Sequence, residues 1–149
     1  MYFWRIKQLK EELIQHGLSQ KVLFQYMLIY FVLVSLQLFD SKVPTIYDTY
    51  HAGITLFLTV IGMMYAFKMN NGNDGTQFAE RYFSIGFVVT IRYSPWWLLS
   101  YLIFEIIVRV ENQLSLKDVG SMGLGVMWEL MVLISSVRHI RDVAQKKNP

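Results

Sequence analysis

Residues 22–39, VLFQYMLIYFVLVSLQLF, hold no Asp, Glu, Lys or Arg, and that feature narrows what the chain can fold into more than any other. An uncharged apolar run of this length approaches the ~20 residues that carry a helix across a bilayer. Composition points the same way. Hydrophobic residues make up 54% of the chain and charged residues only 17%, against a usual ~45–50% and ~25%. The sequence predicts an all-α, polytopic membrane helical bundle forming a single domain over residues 1–149, with about four transmembrane helices and amphipathic interfacial helices beside them. With no cysteine in the chain, disulfides, thiolate metal sites and cysteine nucleophiles are excluded.

The amino-terminal 20 residues read as an amphipathic interfacial helix. Phe3, Ile6, Leu9 and Leu13 recur at helical spacing, Arg5, Lys7, Lys10, Glu11 and Glu12 take other faces, and Trp4 suits the interface. The Glu11–Glu12 pair and the lack of a small-residue cleavage site argue against a signal peptide. Gly17 fits a helix end and Ser19 a fresh N-cap. Spans are expected over 21–39, 52–67, 95–110 and 121–138. Residues 40–51 form a connection stopped at Pro44, and a polar tail follows the last span.

Between the second and third spans lies NNGNDGTQFAERYFSIGFVVTIR, residues 70–92. Asn and Gly favour left-handed turns, and Asp74 with Gln77 matches a capping box. A calcium loop is excluded because Gly72 and Arg81 occupy positions that need oxygen ligands. A phosphate loop lacks its Gly-Lys-Ser/Thr and would carry the acidic Asp74. Residues 78–92 then read as a half-immersed helix bearing Arg81, Ser84 and Arg92 on one side. Ser94 as N-cap and Pro95 as first helical residue would restart the chain there. The alternative is one helix over 83–110. At roughly 42 Å it would exceed a ~30 Å hydrocarbon core and place Arg92 inside it.

This 71–92 segment resembles one found in short, uncharacterised bacterial four-helix inner-membrane proteins, through its Asn-Gly, Gly, Phe, Arg and later Arg. The resemblance covers about a seventh of the chain and implies no activity. It implies that Gly75, Phe78, Arg81 and Arg92 matter together.

Charged residues inside spans are costly and mark structure or a pathway. Glu105 and Arg109 are one turn apart, and Glu129 lies within the fourth span. If Pro95 and Arg138 both mark one membrane edge, Glu105, Arg109 and Glu129 form one cluster at a shared depth. His16, His51 and His139 are scattered, without metal-ligand spacing, so no catalytic residue, cofactor or metal is expected. All of the 14 basic residues except Lys42, Arg109 and Lys117 flank one side, which predicts cytoplasmic termini and a cytoplasmic central loop. The +3 net charge then serves orientation and anionic lipid headgroups rather than nucleic acid. The functional expectation is a non-catalytic membrane subunit that oligomerises or joins a complex, or anchors a cytoplasmic partner. The alternatives are an ion- or proton-conducting oligomer and, third, a membrane enzyme.

Overall fold

A computed structural model describes residues 2–36, 45–72, 77–110 and 117–147. Nine-tenths of these residues are helical, with no strand among them. The helices are α1 (Ile6–Gln15), α2 (Gln20–Leu36), α3 (Ile46–Met69), α4 (Phe78–Val110) and α5 (Lys117–Lys147). Three of them, α3, α4 and α5, are long and apolar enough to cross a membrane, whereas α2 is a shorter apolar helix.

The long helices run side by side. Thr55 meets Glu129 and Gly62 meets Leu133, so α3 and α5 are parallel. Trp97 meets Trp128 and Phe104 meets Gly120, so α4 runs antiparallel to α5. Small residues bring these axes together: a Cβ on Gly62 would collide with the Leu133 side chain, and one on Gly120 with the Phe104 ring. Close approach of this kind replaces the hydrophobic drive that helices lack inside lipid.

Burial divides the bundle lengthwise. At one end Ile6, Leu9, Leu13, Tyr26, Ala66, Ile85, Val88, Ile140 and Val143 form an apolar core. Toward the other end the helices keep large apolar side chains exposed, among them Leu56, Phe57, Trp96, Ile106 and Met127. An exposed apolar surface of that extent is not compatible with water and fits lipid. The core end is therefore a packed head and the remainder a membrane-type bundle.

Helical periodicity reaches further into the head than an interfacial helix and a polar tail would allow. Ile6, Leu9 and Leu13 are buried against α4 and α5 rather than turned to lipid, and Phe3 and Trp4 remain exposed. Beyond Arg138 the expected polar tail is instead helix. Its Val137, Ile140, Val143 and Ala144 are buried at three- and four-residue spacing, the period of one helical face. Lys10 closes the contact on Asp142 at 2.8 Å.

Helix ends follow local chemistry. Thr45 caps α3 through a reciprocal box with Asp48, whose Oδ2 accepts from the Thr45 N–H at 2.7 Å. This starts α3 at Ile46, within the expected 40–51 connection and six residues before the expected span. At its far end Asn71 and Gly72 have φ of 67° and 54°, the left-handed turn that Asn and Gly were expected to make. Gly17, at φ 76°, ends the α1 turn, and Ser19 Oγ accepts from the Val22 N–H at 3.4 Å at the entry to α2. Tyr2, just before α1, donates its hydroxyl to Glu12 at 2.5 Å, and that carboxylate holds the phenol above its ordinary pKa. Gln77, at φ 57°, stands outside α4, so it is not the third helical residue that a box from Asp74 requires.

The restart at Pro95 is corrected: α4 is one helix of 33 residues with Pro95 inside it. A proline there removes the N–H that would bond the Ile91 carbonyl. Ser94 does not cap a new helix; its hydroxyl donates to that Ile91 carbonyl at 2.8 Å, resatisfying the acceptor. At ~1.5 Å per residue α4 spans roughly 50 Å, well beyond a ~30 Å core. The excess is accommodated because its first half is built into the head.

Candidate functional site

The head is tied together by polar groups from three chain segments. Arg81, only 2% exposed, donates from Nη1 to Asn70 Oδ1 at 2.6 Å, and Asn70 is itself fully buried at the end of α3. Next to it Glu80 accepts the Leu18 backbone N–H. A Cβ on Gly17 would stand 3.2 Å from the Glu80 carboxylate, so glycine permits the approach. One helical turn of α4 thus fixes both the α1–α2 corner and the α3 terminus. Phe78 adds an edge contact to Phe67, with ring centroids 5.3 Å apart. Arg81 Nε is buried without a hydrogen-bond partner.

Arg92 lies about three turns further along α4 and is exposed. With Trp4, Arg5, Ile6, Lys7 and Gln8 it lines a shallow cleft of ≈ 410 Å³. Arg81 and Arg92 are therefore placed apart, one inside the head and one on its surface. The expected partners Asp74 and Gly75 lie outside the described residues.

α2 packs on this region of α4, where Tyr26 meets Phe87 and Tyr30 and Phe31 meet Phe83, and the Tyr26 hydroxyl also accepts from the Tyr2 N–H at 2.7 Å. Val22 and Ile29 are partly buried against the core, whereas Phe24, Leu28, Val32 and Leu33 are exposed.

Glu105, Arg109 and Glu129 are not one cluster. Glu105 lies 3.6 Å from Arg109 and 3.3 Å from Lys117, and accepts from the Tyr101 hydroxyl at 3.1 Å. Glu129 instead faces α3. Thr55 donates to its Oε1 at 2.7 Å, and His51 Nε2 stands 3.5 Å from the same oxygen. The shared depth is lost because Trp97 packs beside Trp128, which puts Pro95 near Glu129 rather than level with Arg138. Glu105, beside Lys117, is then roughly 18 Å from Glu129 along α5.

His51 is a site residue the sequence did not single out. The available signal was its place one turn before Thr55, on the face that later meets Glu129. His51 Nε2 and Glu129 Oε2 are buried without hydrogen-bond partners. A Cβ on Gly125 would lie 2.6 Å from His51 Nε2, so the glycine gives the ring its room. Toward the α3 N-terminus the groove continues as a cleft of ≈ 180 Å³ lined by Tyr47, Asp48, His51, Asp118, Ser121 and Met122.

Compared with protein-family models, curated proteins and solved structures, the chain matches none.

Proposed function

We propose that the chain is a non-catalytic, multi-pass protein of the cell inner membrane, serving as an oligomerising subunit or as an anchor for a cytoplasmic partner. The observation that carries this reading is the two-part build, a small packed head on a bundle sheathed in exposed apolar side chains. α1, the Asn70 corner and the end of α5 meet in that head through Lys10–Asp142, Leu18–Glu80 and Arg81–Asn70. Most of the basic residues gather at this same end, so it faces the cytoplasm by the positive-inside preference. Arg5, Lys7 and Arg92 around the surface cleft have no carboxylate within ion-pair distance among the described residues. Such a surface suits anionic lipid headgroups or an acidic partner.

α2 acts as the fourth crossing in this proposal. The first half of α2 still packs in the head through Tyr26, and α3 starts at the bundle's other end, about 36 Å from its head terminus for 24 residues. What supports the crossing is that α2 is an apolar helix of 17 residues, about 26 Å long, close to the thickness of a hydrocarbon core.

Purification in mild detergent, with mass determination and identification of copurifying protein, tests the proposal. A defined oligomer or a stoichiometric partner is expected, weakened when Arg5, Lys7 and Arg92 are all changed to Gln. A lone monomer that retains no partner would remove the reading. A conducting role is the second reading, favoured by the carboxylate of Glu129 set among apolar helices beside His51.

A further inference from the structure

We infer that the basic cleft between the start of α1 and the middle of α4 binds one anionic phospholipid, its phosphate among Arg5, Lys7 and Arg92 and its acyl chains on an exposed apolar stripe of α4. The inference rests on the membrane-bundle reading above and deepens it by choosing a lipid over an acidic partner. Three cations converge on the cleft from two helices, and Trp4, Ile6 and Gln8 complete its walls. Among the described residues none of the three lies within ion-pair distance of a carboxylate. Arg5 donates instead to the neutral Gln8 side-chain oxygen at 3.5 Å. Glu11 and Glu12 do not line the cleft, and Glu12 takes the Tyr2 hydroxyl. The cleft therefore carries uncompensated positive charge, and the planar guanidinium forks of Arg5 and Arg92 match phosphate oxygens.

The register of α4 decides between a lipid and a soluble anion. Arg92, Trp96, Leu99 and Ile103 follow one another at spacings of four, three and four residues, which is one helical face. Arg92 is exposed, and the three apolar residues are 68%, 50% and 49% exposed. A cation thus heads an apolar stripe that begins one turn beyond it. From Arg92 to Ile103 the helix rises ~16.5 Å, close to one leaflet, or half of a ~30 Å hydrocarbon core. A phosphate held at Arg92 places the attached chains along that stripe. Trp4, exposed at the cleft wall, suits the headgroup layer. A free phosphate makes no use of the stripe, and an acidic protein docked from water would meet the cations but not the three apolar side chains.

The test is native mass spectrometry of the full-length protein, delipidated in mild detergent and titrated with phosphatidylglycerol or with phosphatidylcholine of the same chains. The anionic lipid should fill one site per chain and bind at least tenfold more tightly, because each nearby Lys or Arg favours anionic headgroups. Equal affinity overturns the site. Changing Arg5, Lys7 and Arg92 together to Gln should remove the preference. Changing Lys21, Lys68 and Arg138 to Gln, three exposed basic residues outside the cleft, should preserve it. An equal loss from both sets would mean attraction by net charge alone and would reject the cleft. Should the cleft variant fail to assemble, Arg92→Gln carries the comparison, and undiminished preference there would also reject it. Glycerol phosphate, a headgroup without chains, should not bind at concentrations where the lipid fills the site; binding as tight as the lipid's would assign the cleft to free phosphate. An acidic protein held through these three residues, with neither lipid preferred, would give the cleft to that protein. A defined oligomer without lipid preference removes the lipid site and leaves the membrane-subunit reading standing.

Discussion

The continuity of α4 through Pro95 rests on one side-chain hydrogen bond, and a double-mutant cycle measures it. Pro95 deletes the donor for the Ile91 carbonyl, and Ser94 Oγ replaces it at 2.8 Å. Ser94→Ala alone leaves that acceptor unsatisfied among apolar side chains. An orphaned buried carbonyl costs about 1–3 kcal/mol, and because Ile91 and Ser94 are half-buried we expect the lower half of that range, about 1–2 kcal/mol. In a Pro95→Ala background the backbone N–H restored at that position bonds Ile91 directly. There the hydroxyl is redundant, and Ser94→Ala should change stability by less than ~0.5 kcal/mol, the range of ordinary surface substitutions. The coupling energy between the two positions is then about 1 kcal/mol or more. Reversible unfolding in mixed micelles, read by helical circular dichroism, gives all four corners of the cycle. An equal cost of Ser94→Ala in both backgrounds would refute the role given to the serine and with it the explanation for an unbroken α4.

Packing between the parallel helices makes a second prediction. Gly62→Val should destabilise by about 1–3 kcal/mol through overpacking against Leu133, and Leu133→Ala in the same chain should recover much of that loss; an additive cycle would place the contact elsewhere. In the head, Arg81→Gln keeps a donor for Asn70 while removing the charge. Hydrogen exchange should accelerate across Phe67–Asn70 and Phe78–Ser84 with the lower bundle unaffected, and uniform protection would contradict the tie described between α3 and α4.

The apolar runs made the helical class legible, because charge depletion over residues 22–39 and the long spans requires no knowledge of tertiary contacts. Arg81 and Glu129 stood out for the same reason, being polar groups where hydrophobic neighbours make them costly. What sequence could not supply was register. Trp97 beside Trp128 and Thr55 beside Glu129 depend on how one helix slides against another, so residue spacing groups Glu129 with Glu105 and Arg109 while the fold sets it beside His51. Pro95 misled for a different reason. Ser-Pro is a strong helix-start signal in water, yet inside a long apolar helix the serine hydroxyl can serve the carbonyl that proline strands. Residues 137–144 were missed because flanking Arg138, His139, Arg141 and Asp142 masked a clean apolar stripe that α1 covers.

The central claim is that α1, the Asn70 corner and the end of α5 share one face of the membrane while the start of α3 lies on the other. The chain has no cysteine, so single cysteines report position without background. Substitutions at the exposed positions Gln8, Lys68, Gln145, Thr49 and Val119 place three probes on the head and two at the opposite end. With a membrane-impermeant thiol reagent applied to intact cells, Thr49→Cys and Val119→Cys should label, while Gln8→Cys, Lys68→Cys and Gln145→Cys should label only after the membrane is opened. Labelling of Gln8→Cys on the same side as Thr49→Cys, or of Lys68→Cys opposite Gln145→Cys, would contradict the account.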